Sequence, residues 1–170
     1  VENDYGRYGN DLVSMATLRQ RWKQNGITVP CYTSDGATPY MLEAGTLSGA
    51  AIGLDSGSSD EDFNTAKKHD PNVPAFSGET YPGWLTHWGE KFKRPDTNEL
   101  KIEVTYLLEN NRSCNGYVVH GCTKFGFTAG ANSGGKGYEP DITSYDYDAS
   151  INEQGNATAK YFMLRNFISR

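Results

Sequence analysis

Three stretches of this 170-residue chain bring together residue types that do chemistry. Asn3-Asp4-Tyr5-Gly6 opens the sequence, Ser77-Gly78-Glu79-Thr80-Tyr81-Pro82-Gly83-Trp84 closes one apolar run, and His120-Gly121 closes another. Each reads as the end of a strand. In a parallel α/β barrel the loops at the C-terminal strand ends build the active site, so Asp4 and Glu79 would face one pocket. Paired carboxylates with Tyr and Trp nearby suit glycoside hydrolysis. One carboxyl protonates the leaving oxygen, the other stabilises or attacks the anomeric centre, and the rings give an apolar platform for the sugar face. The ordinary alternative for one Glu and one Asp after strands is structural, as helix caps, and residue types alone leave both open.

The elements that must position these groups alternate. Asn10-Asp11 caps a helix running through Leu12, Val13, Met15, Ala16, Leu18, Arg19 and Trp22 to Asn25-Gly26. Ile27-Thr28-Val29-Pro30-Cys31-Tyr32-Thr33 reads as a strand ended by the turn cluster Ser34-Asp35-Gly36, and Ala50-Ala51-Ile52-Gly53 as a second strand. A polar helix over Ser59 to Lys68, a strand over Val73-Pro74-Ala75-Phe76-Ser77, a helix over Leu100 to Leu108 and a strand at Tyr117-Val118-Val119 follow. A Gly/Asn-rich loop spans Gly130 to Gly137, and a last helix runs from about Glu153 to Ile168. Strand-helix alternation at this spacing predicts βαβ units with a parallel sheet, in an open doubly wound form or a barrel; periodicity does not choose between the two.

Composition narrows the class. The chain is long enough for one sizeable core and too short to argue for two domains. The formal net charge is -5, and the only basic run is Lys91-Phe92-Lys93-Arg94, which reads as a solvated helix end; no footprint for nucleic acid is present. No stretch approaches the roughly 18 consecutive apolar residues of a membrane span, and Val1-Glu2-Asn3-Asp4 lacks a signal-peptide pattern. Cys31, Cys114 and Cys122 are an odd count without CxxC spacing, expected to be reduced, and His69, His87 and His120 are scattered, so no metal or cofactor is expected. Gly130 to Gly135-Lys136 falls short of a phosphate-cradling loop, because Gly137 stands where a hydroxyl is needed.

Four ordered blocks carry a resemblance to glycoside hydrolase family 35. Val1-Glu2-Asn3-Asp4-Tyr5-Gly6 resembles the family's Val-Glu-Asn-Glu-Tyr-Gly, in which the second Glu is the acid/base. Glu79-Thr80-Tyr81-Pro82-Gly83-Trp84-Leu85-Thr86-His87-Trp88-Gly89 resembles the nucleophile segment. His120-Gly121-Cys122-Thr123-Lys124-Phe125-Gly126-Phe127 and Thr143-Ser144-Tyr145-Asp146-Tyr147-Asp148-Ala149 are similar to its His-Gly-Gly-Thr-Asn-Phe-Gly and Thr-Ser-Tyr-Asp-Tyr-Asp-Ala-Pro runs.

The resemblance implies the C-terminal half of a (β/α)8 barrel, from the end of strand 4 through helix 8, with residues 1–170 a partial catalytic domain. It implies a retaining β-galactosidase: Glu79 as nucleophile, Asp4 as acid/base, Asn3 bonding the sugar 2-hydroxyl and Tyr81 orienting Glu79. Trp84, Tyr117, Tyr145 and Tyr147 would line the galactose pocket, while the helical spacing of four residues from Trp84 puts Trp88 in the core. A retaining site needs its carboxyls about 5 to 5.5 Å apart. Family members are lysosomal, periplasmic or secreted, which leaves the compartment open.

Departures from the pattern matter. Asp4 is shorter than Glu by one C–C bond, about 1.5 Å, and misplacement on the order of 1 Å can cost about a hundredfold in rate. A non-catalytic galactoside-binding relative is therefore the alternative. Lys124 and Cys122 stand where the family has Asn and Gly. A complete barrel needs about 250 residues, so the chain is expected to expose two strand edges and a split core, to need a complementary N-terminal half-barrel, and to be inactive alone.

Overall fold

The computed structural model describes residues 3–134 and 137–169. They form two compact units, residues 1–80 with 106–115 and residues 81–105 with 116–170.

The first unit is built on a parallel sheet. Strands β1 (Tyr32–Gly36), β2 (Ala51–Asp55), β3 (Ala75–Thr80) and β4 (Cys114–Gly116) lie side by side in chain order. The β1/β2 and β2/β3 pairs are parallel, and β3 meets the start of β4 through Ser77 N–H to Ser113 O at 3.0 Å. Parallel neighbours need crossovers, supplied by α3 (Pro39–Gly45), α4 (Asp60–His69) and α5 (Thr97–Glu109). Two further helices, α1 (Tyr5–Tyr8) and α2 (Leu12–Gln24), precede β1.

Local chemistry explains where these helices start. Asp11 accepts from Ser14 N–H at 3.0 Å to begin α2, and Gly26, at φ 80, follows its end. Thr38 accepts from Met41 N–H with Pro39 in the first turn of α3. Ser59 and Asp62 form a capping box on α4, whose first turn is acidic and whose last turn is basic, matching the helix dipole. The core of this unit is Leu42, Ile52, Leu54, Phe63, Ala66 and Leu107. Each large aliphatic or aromatic side chain fully buried there contributes about 1.5–3 kcal/mol.

The second unit holds two small antiparallel pairs, β5 (Cys122–Thr123) with β8 (Ser144–Tyr145) and β6 (Ala131–Gly134) with β7 (Gly137–Pro140), followed by α6 (Ala159–Ile168). Tyr81 to Lys93 is without helix.

Several expectations are corrected. The first strand begins at Tyr32, not Ile27, and absorbs the Ser34-Asp35-Gly36 cluster read as a turn, because pairing with β2 supplies the ladder that local turn chemistry does not foresee. Tyr117-Val118-Val119 is turn, and the strand lies just before it at Cys114–Gly116. The Gly/Asn-rich stretch is a hairpin over its described residues, with Gly135 and Lys136 outside them. The last helix starts at Ala159, since Glu153 is engaged by side-chain hydrogen bonds in the preceding turn. Lys91–Arg94 belongs to no helix, Trp88 is 72% exposed instead of packed in a core, and no residue of α2 is buried. Helix α3 was not foreseen, although Thr38-Pro39 carries a helix-start signature.

Among the described residues no helix is long and apolar enough to cross a membrane.

Candidate functional site

In the first unit the chemistry gathers at the C-terminal ends of the strands. Asp4 occupies a left-handed conformation, φ 49 and ψ 44, immediately before α1, a region that Asp tolerates better than most residues. Glu79 lies near the end of β3 and pairs in register with Asp55 at the end of β2, beside an irregularity between Leu54 and Asp55. Ser56, at φ 60, turns the chain away and donates its N–H to Glu79 O at 3.2 Å. Arg7 Nη2 stands 3.6 Å from Asp55 Oδ2.

Three carboxyls and one guanidinium thus share this end of the sheet, and the proton balance follows. Burial pushes the Asp4 carboxyl up to about 7; the Asp55 charge and a hydrogen bond with Asp55 add to that, Arg7 opposes it, and Glu79 raises it further. Behind them Asp35, 2% exposed, accepts from Gly6 N–H at 2.6 Å. Burial raises it to about 6 despite that bond, with Asp55 contributing. Asp35 fits because its neighbours are glycines: a Cβ on Gly45 would lie 2.2 Å from its carboxylate, and one on Gly6 would lie 2.8 Å from Asp35 Oδ1. Asp35 therefore ties the residue two places after Asp4 to β1.

The second unit gathers the aromatic residues. Tyr81, Trp84, Tyr117, Tyr145 and Tyr147 form one cluster, with Tyr147 touching the other four at ring-centroid distances of 6.3, 5.9, 5.6 and 5.0 Å for Tyr81, Trp84, Tyr117 and Tyr145. Tyr81 also meets Trp84 edge-on at 5.3 Å and Tyr117 at 5.8 Å, and the Tyr117 and Tyr145 hydroxyls are 3.0 Å apart. Tyr147 is buried at the hub, whereas Trp84 is 44% exposed.

Backbone fit holds the cluster. A Cβ on Gly83 would lie 1.9 Å from Tyr147 O, and one on Gly121 would lie 2.3 Å from Asp146 O, so both glycines allow main chains to touch. Glu153 accepts from Thr123 Oγ1 and, at 2.6 Å, from Ser144 Oγ, while its own N–H donates to Asp146 Oδ2 at 2.9 Å. Lys160, 3% exposed, donates to Pro82 O at 2.6 Å and to the Asp148 carboxylate. Lys124 donates to Asp141 and lies 4.7 Å over the Tyr145 ring, so its charge is spent inside the unit; Cys122 is exposed on β5 opposite Tyr145.

The expected site residues thus fall into two sets, Asp4 with Glu79, and the five aromatics. Asn3 is exposed beside Asp4. Sequence reasoning missed Arg7, Asp35, Asp55, Glu153 and Lys160. Asp35 was hidden in an apparent turn, and Asp55, following Ile52-Gly53-Leu54, carried only the weak signal of a carboxylate closing a strand. Among the described residues no group of three or more His, Cys, Asp or Glu is arranged to hold a metal.

The model of glycosyl hydrolases family 35 matches residues 1–170. The chain belongs to this family. Beta-galactosidase 17 of Arabidopsis thaliana is 40% identical over 181 residues, with 100% of this chain and 26% of the relative covered. Beta-galactosidase of Mus musculus is 38% identical over 99% of this chain and 26% of the relative, and beta-galactosidase of Homo sapiens 36% identical over 100% and 25%. The chain spans about a quarter of the length of these curated relatives. Family membership supports a hydrolase acting on glycosides, and the mixed α/β fold with its parallel sheet is consistent with part of a family 35 barrel.

Proposed function

We propose that this chain is the C-terminal half of a family 35 (β/α)8 barrel, the end of strand 4 through helix 8, and that the complete barrel is a retaining β-galactosidase. What supports this reading is the family match over residues 1–170 together with Asp4, whose carboxyl is pushed by burial up to about 7, in a group with Asp55, Arg7 and Glu79 at the strand ends. A general acid must keep its proton near neutral pH, and environments that raise one carboxyl mark acid/base sites.

In the proposed reaction a Glu79 carboxylate oxygen bonds to the anomeric carbon of a terminal β-galactoside. The bond to the leaving oxygen breaks as Asp4 gives that oxygen its proton. Asp4 then takes a proton from water, whose oxygen displaces Glu79 and releases galactose with retained configuration. Asn3, Tyr81, Trp84, Tyr117, Tyr145 and Tyr147 belong to the same proposal as substrate-binding residues. An aromatic cluster with one well-exposed indole is suited to packing against the apolar face of a sugar. The chain alone is expected to be inactive, for want of the complementary half-barrel.

The test is to restore the preceding strands, incubate the folded protein with an activated 2-fluoro-galactoside and map the adduct by mass spectrometry. A galactosyl adduct on Glu79 is the expected result. Galactose binding with no adduct would instead support the binding-only relative, in which Asp in place of Glu at position 4 has ended turnover.

A further inference from the structure

We propose that Asp55 is the positioning residue of the acid/base: it holds the Asp4 carboxyl through a shared proton, and with Arg7 it sets the pH range over which Asp4 can donate. This rests on the reading of Asp4 as the acid.

The geometry ties Asp55 to both ends of the reaction. It closes β2 directly opposite Glu79, at the point where the β2/β3 register breaks. Because Ser56 turns left-handed and bonds back to Glu79 O at 3.2 Å, the Asp55 backbone is fixed relative to the proposed nucleophile. Its carboxylate faces Arg7 at 3.6 Å, and Arg7 N–H donates to Asp4 O at 2.9 Å, so a single helical turn delivers both Asp4 and the cation that faces Asp55. Behind this group, Asp35 holds Gly6 N–H at 2.6 Å and restrains the same turn.

The charge placement follows from these neighbours. Asp4 is faced by Asp55, Glu79 and Arg7, and Asp35 stands behind them, itself raised first by burial and then by the Asp55 charge. A carboxyl that is hydrogen-bonded to a neighbouring carboxyl holds its proton in that bond, and this keeps Asp4 protonated where Asp55 faces it. Arg7 Nη2, 3.6 Å from Asp55 Oδ2, places a cation on the Asp55 side of that contact. The Arg7 side chain is 60% exposed, against 12% for Asp55, so solvent screens the cation and weakens its pull against the proton on Asp4. A short acid is thereby kept both protonated and restrained.

Asp55→Asn keeps the size and a hydrogen-bonding group but removes the charge. In the complete enzyme it is expected to move the alkaline limb of the kcat/KM profile, which reports the acid of the free enzyme, to lower pH by about one unit. At pH 7 turnover of galactosides with poor leaving groups should fall about fivefold, while activated aryl galactosides, which need little protonation, should be nearly unaffected. Arg7→Gln, at an exposed position, should move the same limb the opposite way, because the cation that lowers the Asp4 carboxyl is then gone. An unmoved limb in both variants, or equal losses on both leaving-group classes, would overturn the assignment; the Arg7 variant keeps the test open if the Asp55 variant does not fold. Asp4→Asn separates the two proposals. If its deglycosylation is rescued by azide while the Asp55 and Arg7 limbs stay put, Asp4 is the acid and only the role of Asp55 falls. If Asp4→Asn shows neither leaving-group dependence nor azide rescue, both fall.

Discussion

Lys160 and Asp148 are joined inside the second unit by a charge-assisted hydrogen bond in which the ammonium also donates to Asp148 O at 3.2 Å and to Pro82 O at 2.6 Å. Both segments it holds carry aromatic residues of the cluster, Tyr81 before Pro82 and Tyr147 before Asp148. Asp148 also faces Arg94 at 3.6 Å, but that guanidinium is 66% exposed and a weak substitute. Lys160→Met should cost about 3–5 kcal/mol, because it takes the donor from two carbonyls and leaves the Asp148 carboxylate with only the exposed Arg94. Thermal unfolding measures the loss, and the near-ultraviolet circular dichroism of the Tyr/Trp cluster should weaken with it. A stability unchanged by the substitution would refute the buried-pair account.

Gly83 offers a test of the contact between main chains. An added Cβ would meet Tyr147 O at 1.9 Å, so Gly83→Ala must shift backbone and is expected to cost about 1–3 kcal/mol or more. Gly89 is the control: its φ of 84 is unfavourable for Ala, but nothing lies within 4 Å, so Gly89→Ala should cost only about 1 kcal/mol. Chemical denaturation of the two variants side by side checks the order; the reverse order would contradict the packing.

Glu103 provides a pH-dependent prediction. Burial raises its carboxyl from an ordinary 4.5 to about 7. The folded state therefore binds more protons than the unfolded state between those values, and stability from this group falls as pH rises through that window. Glu103→Gln removes the burial penalty on the charged form. The variant should match the parent near pH 4 and melt at a higher temperature near pH 8, and an equal difference at both pH values would rule this cause out.

In the proposed site, Asp4→Glu places at position 4 the residue that the resemblance to family 35 implies for the acid/base. Extending the carboxyl should raise turnover of poor-leaving-group substrates by up to about a hundredfold in the complete enzyme. Since position 4 has φ 49, the longer side chain should also cost about 1 kcal/mol in stability. Rates on both leaving-group classes, with the melting temperature, separate the two effects. A rate unchanged on poor leaving groups would mean that the turn at Asp4 already places the shorter acid.

Much of this fold was legible from local signals. Helix α2 announced itself through Asp11 and Gly26, and α4 through Ser59 and its acid-first, base-last charge order, because a helix closes its hydrogen bonds within four residues and its caps lie next to it. The strand-helix alternation and the blocks around Asp4, Glu79, His120 and Tyr145 likewise carried the family and the α/β class.

Tertiary structure decided what depends on partners far away in the chain. Strand β1 is shifted toward Asp35 because its limits are set by pairing with β2, and a Gly/Asn-rich stretch is a hairpin because its two halves pair with each other. Tyr117 and Tyr145, 28 residues apart, touch at their hydroxyls, and Lys160 meets Pro82 from 78 residues away. By the same logic burial, with Asp55 and Glu79 and against Arg7, raises the Asp4 carboxyl in a way that no spacing encodes. Sequence spacing lists carboxylates, but the field each one feels is set by burial and by charges brought near it only when the sheet assembles.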